Sequence, residues 1–177
     1  MLPPDLWLGE LGGAAVAVIA LARGDDWPGM LALALFGWTL VLLALIDARH
    51  LWLPDAITLP LAALGLATAL VVPSPDLTER ALGLALGWLA LEALRRGYRL
   101  LRHREGLGGG DPKLLGAIGA WLGASALPLV VLAAALIGLV WVGVQAARGR
   151  PAGGTTPIPL GTMLALAALG WIALGQS

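Results

Sequence analysis

Gly108-Gly109-Gly110-Asp111-Pro112-Lys113-Leu114-Leu115-Gly116-Ala117-Ile118-Gly119-Ala120-Trp121-Leu122-Gly123 is a glycine run that ends in a carboxylate and opens directly into an apolar, glycine-spaced segment. A carboxylate at the edge of a bilayer is costly to keep and points to function. Glycine beside it lets a backbone approach closely and take conformations that a Cβ forbids. The rest of the chain says that the surroundings are a bilayer. Of its 177 residues 59% are hydrophobic, the mean hydropathy is +0.87, and only 12% are charged, against about a quarter in soluble domains. This composition predicts an all-α, polytopic membrane helix bundle, a single domain over residues 1–177 with no separate soluble domain.

A spanning helix needs roughly 20 mostly apolar residues. By that rule spans are expected at residues 6–22, 27–46, 56–72, 77–94, 113–127, 128–147 and 159–174, which makes about six or seven transmembrane helices. The fifth is short and glycine-rich, and a helical hairpin that does not fully cross is the alternative there. The breaks carry their own chemistry, such as Gly24-Asp25-Asp26-Trp27-Pro28 and Pro73-Ser74-Pro75-Asp76. No basic n-region precedes the first apolar stretch, which therefore reads as a retained helix rather than a cleaved signal peptide.

Loops on the cytoplasmic side of a membrane carry excess Lys and Arg. Arg49, then Arg95, Arg96, Arg99, Arg102, Arg104 and Lys113, then Arg148 and Arg150 follow the second, fourth and sixth spans, and the opposite side is left with Arg23 and Arg80. This bias places the N-terminus in the cytoplasm and the C-terminus outside, and residues 95–110 form the longest cytoplasmic connection. Gly83 and Gly87 make one GxxxG pair and Gly119 and Gly123 another, the small surfaces through which helix backbones meet in lipid. Without cysteine, and with His50 and His103 the only histidines, no metal site and no cofactor are expected. No basic tail or stripe suggests nucleic acid.

The acids are more informative. Asp47 closes the second span and Asp111 opens the fifth, so the expected topology puts both at the cytoplasmic edge. Two carboxylates facing one site share a proton, because like charges at close range resist ionising together. The ionised member activates water and the protonated one polarises a carbonyl. Asp111 precedes Pro112 and reads as an N-cap, where the helix dipole favours an anion, whereas Asp47 lies at a helix C-terminus, where an anion is disfavoured. This predicts Asp111 as base and Asp47 as acid. Plainer readings exist for each acid. Asp111 can be an ordinary cap, Asp47 can pair with Arg49, and Asp55 after Pro54 reads as the cap of the third helix. Glu92 is expected to pair with Arg95 and Arg96 at helical spacing. Lys113 is either a snorkelling interface residue or an electrostatic aid to the site. His50 and Trp52 read as interfacial anchors.

Taken together, three segments resemble the type IV prepilin peptidase family, GxGD-type membrane aspartic proteases. Asp47-Ala48-Arg49-His50-Leu51-Trp52-Leu53-Pro54-Asp55 looks like its first aspartate motif, Gly108 through Leu115 like its GxGD stretch, and Pro157-Ile158-Pro159-Leu160-Gly161-Thr162 like its Ile-Pro-Phe-Gly-Pro segment. The resemblance implies Asp47 and Asp111 as the catalytic pair, Gly108 and Gly110 as motif glycines, and Lys113 and Asp55 as motif residues that position substrate. It also implies cleavage of the basic leader of type IV prepilins or type II secretion pseudopilins after a glycine, at the cytoplasmic face of a bacterial inner membrane. The partners so implied are the pilin-like substrate and the lipid bilayer. Many members add a cysteine-containing N-terminal domain and methylate the new N-terminus. This chain has neither cysteine nor room for that domain between its first two spans, so peptidase activity without methyl transfer is expected. Leu160 and Thr162 replace the usual Phe and Pro, and Pro112 replaces an apolar residue.

Two rivals remain. A presenilin-like GxGD protease would place its first aspartate in a Tyr-Asp motif inside a helix, whereas Ile46 precedes Asp47. A small transporter or structural membrane subunit with capping acids would show repeats and helices broken at the midplane, and neither is evident.

Overall fold

The computed structural model describes residues 4–24, 26–102, 108–149 and 158–175; Asp25, His103, Arg104, Arg150 and Pro157 lie outside them. Seven α-helices and no strand occur among the described residues: α1 (Pro4–Arg23), α2 (Trp27–His50), α3 (Asp55–Ala67), α4 (Leu77–Arg102), α5 (Asp111–Leu122), α6 (Leu127–Ala147) and α7 (Leu160–Ala173). A short 3₁₀ turn, Thr68–Leu70, extends α3. Each helix overlies one of the expected apolar segments.

Local chemistry sets the boundaries. The Asp26 carboxylate accepts the Gly29 N–H at 2.8 Å and Pro28 lies in the first turn, so α2 starts there, as capping requires. Its other end closes at Leu51, whose φ of 52° is left-handed and whose N–H returns to the Asp47 carbonyl. The Asp76 carboxylate caps α4 by accepting the Glu79 N–H at 2.8 Å.

One expectation needs correction. The connection 95–110 is helical as far as Arg102, because α4 continues past its apolar part on a run of good helix formers, Leu94 through Arg96 and Arg99 through Arg102. The fifth segment forms a short helix. α5 has 12 residues, a rise of about 18 Å against about 30 Å of hydrocarbon. From Asp111 to Trp121 all its residues but Lys113 are buried. α5 is a core helix clasped by its neighbours. Among the described residues, α2 and α6 are long and apolar enough to cross a membrane by themselves.

Around α5 the core gathers Phe36, Leu40 and Leu43 of α2, Leu114, Leu115 and Ile118 of α5, and Met163 and Leu164 of α7. Phe36 stacks on Trp121 with ring centroids 4.7 Å apart and 5° between planes. α4 lies closest to α5, and glycine makes this possible. A Cβ on Gly83 would collide with the backbone of Gly119, and one on Gly87 would come within 2.6 Å of the Leu115 carbonyl oxygen. The two GxxxG helices expected to make close contacts thus make one with each other. Outside, Leu129, Leu132, Leu136, Leu139 and Val140 of α6 and Leu82, Leu86 and Leu89 of α4 are exposed. So broad an apolar exterior suits lipid rather than water.

The helices meet in two end clusters. At one end the start of α7 reaches the end of α2, with Lys113 of α5 bound to Asp55 of α3 beside them. At the other the start of α4 reaches the ends of α3 and α5, and Arg23 donates from the end of α1 to the Ala173 carbonyl of α7 at 2.7 Å.

Candidate active site

Asp47 and Asp111 come together at the first of these ends. Asp47 is 4% exposed and Asp111 6%. Asp111 occupies the first helical position of α5 rather than the cap, which is Gly110. Its carboxylate turns back instead to accept the Gly108 N–H at 3.1 Å. The expectation that Asp111 is an N-cap is therefore corrected: with Gly110 already helical at φ −83°, the side chain binds the glycine loop and not its own helix.

Asp47 is held from α7. Its Oδ2 accepts the Thr162 N–H at 2.7 Å and faces the Thr162 hydroxyl at 3.0 Å. Thr162 is in the first turn of α7, whose cap residue, Pro159, makes no side-chain hydrogen bond. Asp47 thus caps α7 from another helix. Gly161 makes the approach possible, since a Cβ there would lie 2.8 Å from Leu53 Cδ1 and 3.0 Å from Asp47 Cγ.

The two carboxyls are unequal. Asp47 receives donors from the N-terminus of α7. Asp111 precedes the apolar run of α5, outside the expected span. Burial pushes its carboxyl up to about 7, the negative charge of Asp47 pushes the same way, and the Gly108 N–H pulls back. At Asp111 burial thus outweighs the dipole of α5. On each residue the recorded donors fall on Oδ2. Among the described residues no buried side-chain oxygen lacks a partner.

Beside the pair opens a cleft of about 610 Å³ lined by Trp52, Leu53, Pro54, Asp55, Trp88, Glu92, Arg95, Gly109, Gly110 and Lys113. Neither aspartate lines it. Leu53 and Gly110 form the dividing wall: a Cβ on Gly110 would lie 2.6 Å from Leu53 Cβ, and Leu53 in turn meets Gly161 beside Asp47. Gly110 is thus needed for this contact, while Gly108 serves Asp111 through its N–H.

The other expected site residues take modest places. Asp55 has no side-chain capping bond. Its carboxylate instead receives Lys113 Nζ at 2.6 Å on the rim of the cleft, with side chains 54% and 34% exposed. The cap expected there is corrected to an ion pair, because Asp55 is itself the first helical residue. Glu92 pairs with Arg95 at 2.9 Å and Arg96 at 2.7 Å, as the helical spacing predicts. Among the described residues no three His, Asp or Glu side chains converge as metal ligands would. Thr162 had been read only as a departure from a motif; its pairing with Asp47 links residues far apart in sequence, beyond the reach of local pattern.

Residues 34–143 match the model of the type IV leader peptidase family. A prepilin leader peptidase/N-methyltransferase of Aeromonas salmonicida (strain A449) is 42% identical over 158 residues, 89% of this chain and 53% of the relative. Proteins of the same name from Dichelobacter nodosus and Pseudomonas aeruginosa are 40% and 42% identical over 165 and 143 residues, covering 92% and 81% of this chain and 54% and 48% of their own. The chain spans about half the length of these relatives. No solved structure matches it significantly.

Proposed function

Because the chain belongs to the type IV leader peptidase family, we propose that it is a membrane aspartic endopeptidase that removes the basic leader of type IV prepilins or type II secretion pseudopilins. The observation that carries this reading is the pairing of Asp47 and Asp111, each buried, each anchored through one oxygen, with the charge of one raising the proton affinity of the other.

The chemistry follows from that asymmetry. Asp47 starts as the carboxylate and takes a proton from water, whose oxygen attacks the scissile carbonyl. Asp111 starts protonated and donates to the carbonyl oxygen as it becomes tetrahedral. Collapse of the intermediate breaks the C–N bond: the proton now on Asp47 passes to the leaving nitrogen, and a hydroxyl of the intermediate returns its proton to Asp111 as the carbonyl re-forms. The pair ends with its starting proton count, as general acid–base catalysis requires. A coupled pair titrates as a unit, and this reading places the shared proton on Asp111, whose proton affinity burial and the charge of Asp47 raise.

The cleft between Trp52, Trp88 and Gly109–Gly110 lies one side chain from the pair and offers the extended leader a path toward it. Arg49, Arg95, Arg96 and Lys113 cluster at this end, which supports a cytoplasmic active site in a multi-pass inner-membrane protein with its N-terminus on the same side. The reading assigns leader cleavage to this chain.

Purified protein in detergent, mixed with a panel of prepilins and pseudopilins, is expected to release the leader after its terminal glycine, read by mass spectrometry. Asp47→Asn and Asp111→Asn should abolish the cut. A folded wild type that cleaves none of the panel would overturn the substrate assignment. Cleavage surviving Asp47→Asn would show that Asp111 works with another acid, Asp55 being the next to test.

A further inference from the structure

Asp47 reaches its position at the end of α2 with the Thr162 N–H 2.7 Å and the Thr162 hydroxyl 3.0 Å from the same oxygen, Oδ2. That hydroxyl also lies 3.1 Å from the Ala44 carbonyl oxygen, on the preceding turn of α2. It has one proton to share between a carbonyl and a carboxylate. Thr162 therefore pins α7 to the last turn of α2 and fixes the rotation of the Asp47 carboxyl together. Gly161 beside it admits the carboxylate only because it lacks a Cβ. A carboxylate bound at Oδ2 alone can present Oδ1 in a single direction, and a general base needs that orientation to within a small angle of its water.

We infer that Thr162 is a positioning residue for Asp47: it holds Oδ2 so that Oδ1 faces the water that attacks the peptide bond. This rests on the peptidase reading above. Thr162 touches neither water nor substrate in the proposed mechanism and acts through Asp47. Its two donors are separable. The backbone N–H survives any substitution but proline, and the hydroxyl survives only in serine.

Three proteins test it: wild type, Thr162→Ser and Thr162→Val, each with melting in detergent, kcat and KM for a leader-bearing substrate, and infrared spectra with the Asp47 carboxylate band identified by subtraction of Asp47→Asn. Thr162→Ser is expected to keep kcat within about twofold of wild type. Thr162→Val, close in shape, should lower kcat about tenfold with KM unchanged and the melting temperature retained. It should also shift the Asp47 carboxylate band. A Thr162→Val protein with wild-type kcat and an unshifted band would overturn the inference. A change confined to KM would overturn it too, assigning Thr162 to substrate contact. Should Thr162→Val fail to fold, Thr162→Ala, which also lacks the hydroxyl, is read in the same way. Should wild type cleave no leader at all, the infrared band decides separately: a shift in Thr162→Val upholds the positioning contact while the peptidase reading falls, and no shift ends both.

Discussion

The two ends of the bundle each bury charge, and they do opposite things with it. At the end away from the aspartates Arg80 is 2% exposed, and its guanidinium is surrounded by acceptors. Nε donates to the Pro75 carbonyl at 2.8 Å, Nη1 lies 3.0 Å from the Gly65 carbonyl and 2.9 Å from the Thr68 hydroxyl, and it also reaches the Ala120 and Trp121 carbonyls. The Gly65, Ala120 and Trp121 carbonyls belong to the last turns of α3 and α5, where helices leave acceptors unpaired and the dipole is negative. Next to it Glu79 accepts the Ala124 and Ser125 N–H groups at 3.1 and 3.3 Å. There the charges are saturated and lock three helices. At the aspartate end each carboxyl is held by one oxygen, and two like charges face each other. Saturated charge makes a joint; charge left partly unsatisfied makes a reagent.

Asparagine at the aspartate end should break the contrast most sharply. Asp47→Asn or Asp111→Asn is expected to lower leader cleavage by about 10³-fold, within the range for losing a general acid or base, while melting in detergent stays close to wild type. A variant that lost activity only because it unfolded would place Asp47 and Asp111 with Arg80 as structural charge. Arg80→Met should show the converse. Removing the guanidinium strands several buried carbonyls, each worth about 1–3 kcal/mol, so stability should fall by about 3 kcal/mol or more, read as a large drop in melting temperature. The fraction that remains folded should keep its kcat.

Proton linkage gives a third test. The carboxyl of Asp111 is raised from 3.8 to about 7 by burial and by Asp47, so in this window the folded protein binds a proton that the unfolded chain has released. Stability should then decline as pH rises from about 4 to about 7, since it declines wherever the folded state holds more protons. Asp111→Asn should flatten that slope and melt higher than wild type above pH 7. Cleavage needs the same proton, so kcat/KM should fall on the alkaline side of about 7. A rate still rising through pH 8 would return the acid role to Asp47.

How much of this was legible depends on range. Helices α1 to α7 follow the apolar segments closely, because the demand for apolar surface is written residue by residue. Glu92 with its two arginines was legible through helical spacing, and Gly83 with Gly119 through small-residue pairs. The sequence counts Arg80 only as a basic residue on the outer side, at the start of the fourth span; that it is buried depends on α3 and α5 ending beside it, which no local pattern states. The same holds for Asp55, whose partner Lys113 lies on another helix, and for Thr162, whose partner lies on α2. Asp111 was misread as a cap for a subtler reason: the Asp-Pro pair fits the start of a helix, and one residue of offset turned the carboxylate from its own helix to Gly108.

The mildest test concerns the exposed pair on the rim of the cleft. Lys113 and Asp55 approach to 2.6 Å but remain 34% and 54% exposed, and such pairs contribute about 0–1 kcal/mol. Lys113→Met should therefore change the stability by less than about 1 kcal/mol, measured by melting, in contrast to Arg80→Met. Its functional effect has a sign. Releasing Asp55 leaves an unpaired carboxylate facing the cleft, and a basic leader would be drawn to it, so KM should hold or fall. A rise in KM would mean that Lys113 itself meets the substrate. The rim would then belong with the aspartates, among the charges kept partly free for chemistry, rather than with the saturated joint at the other end.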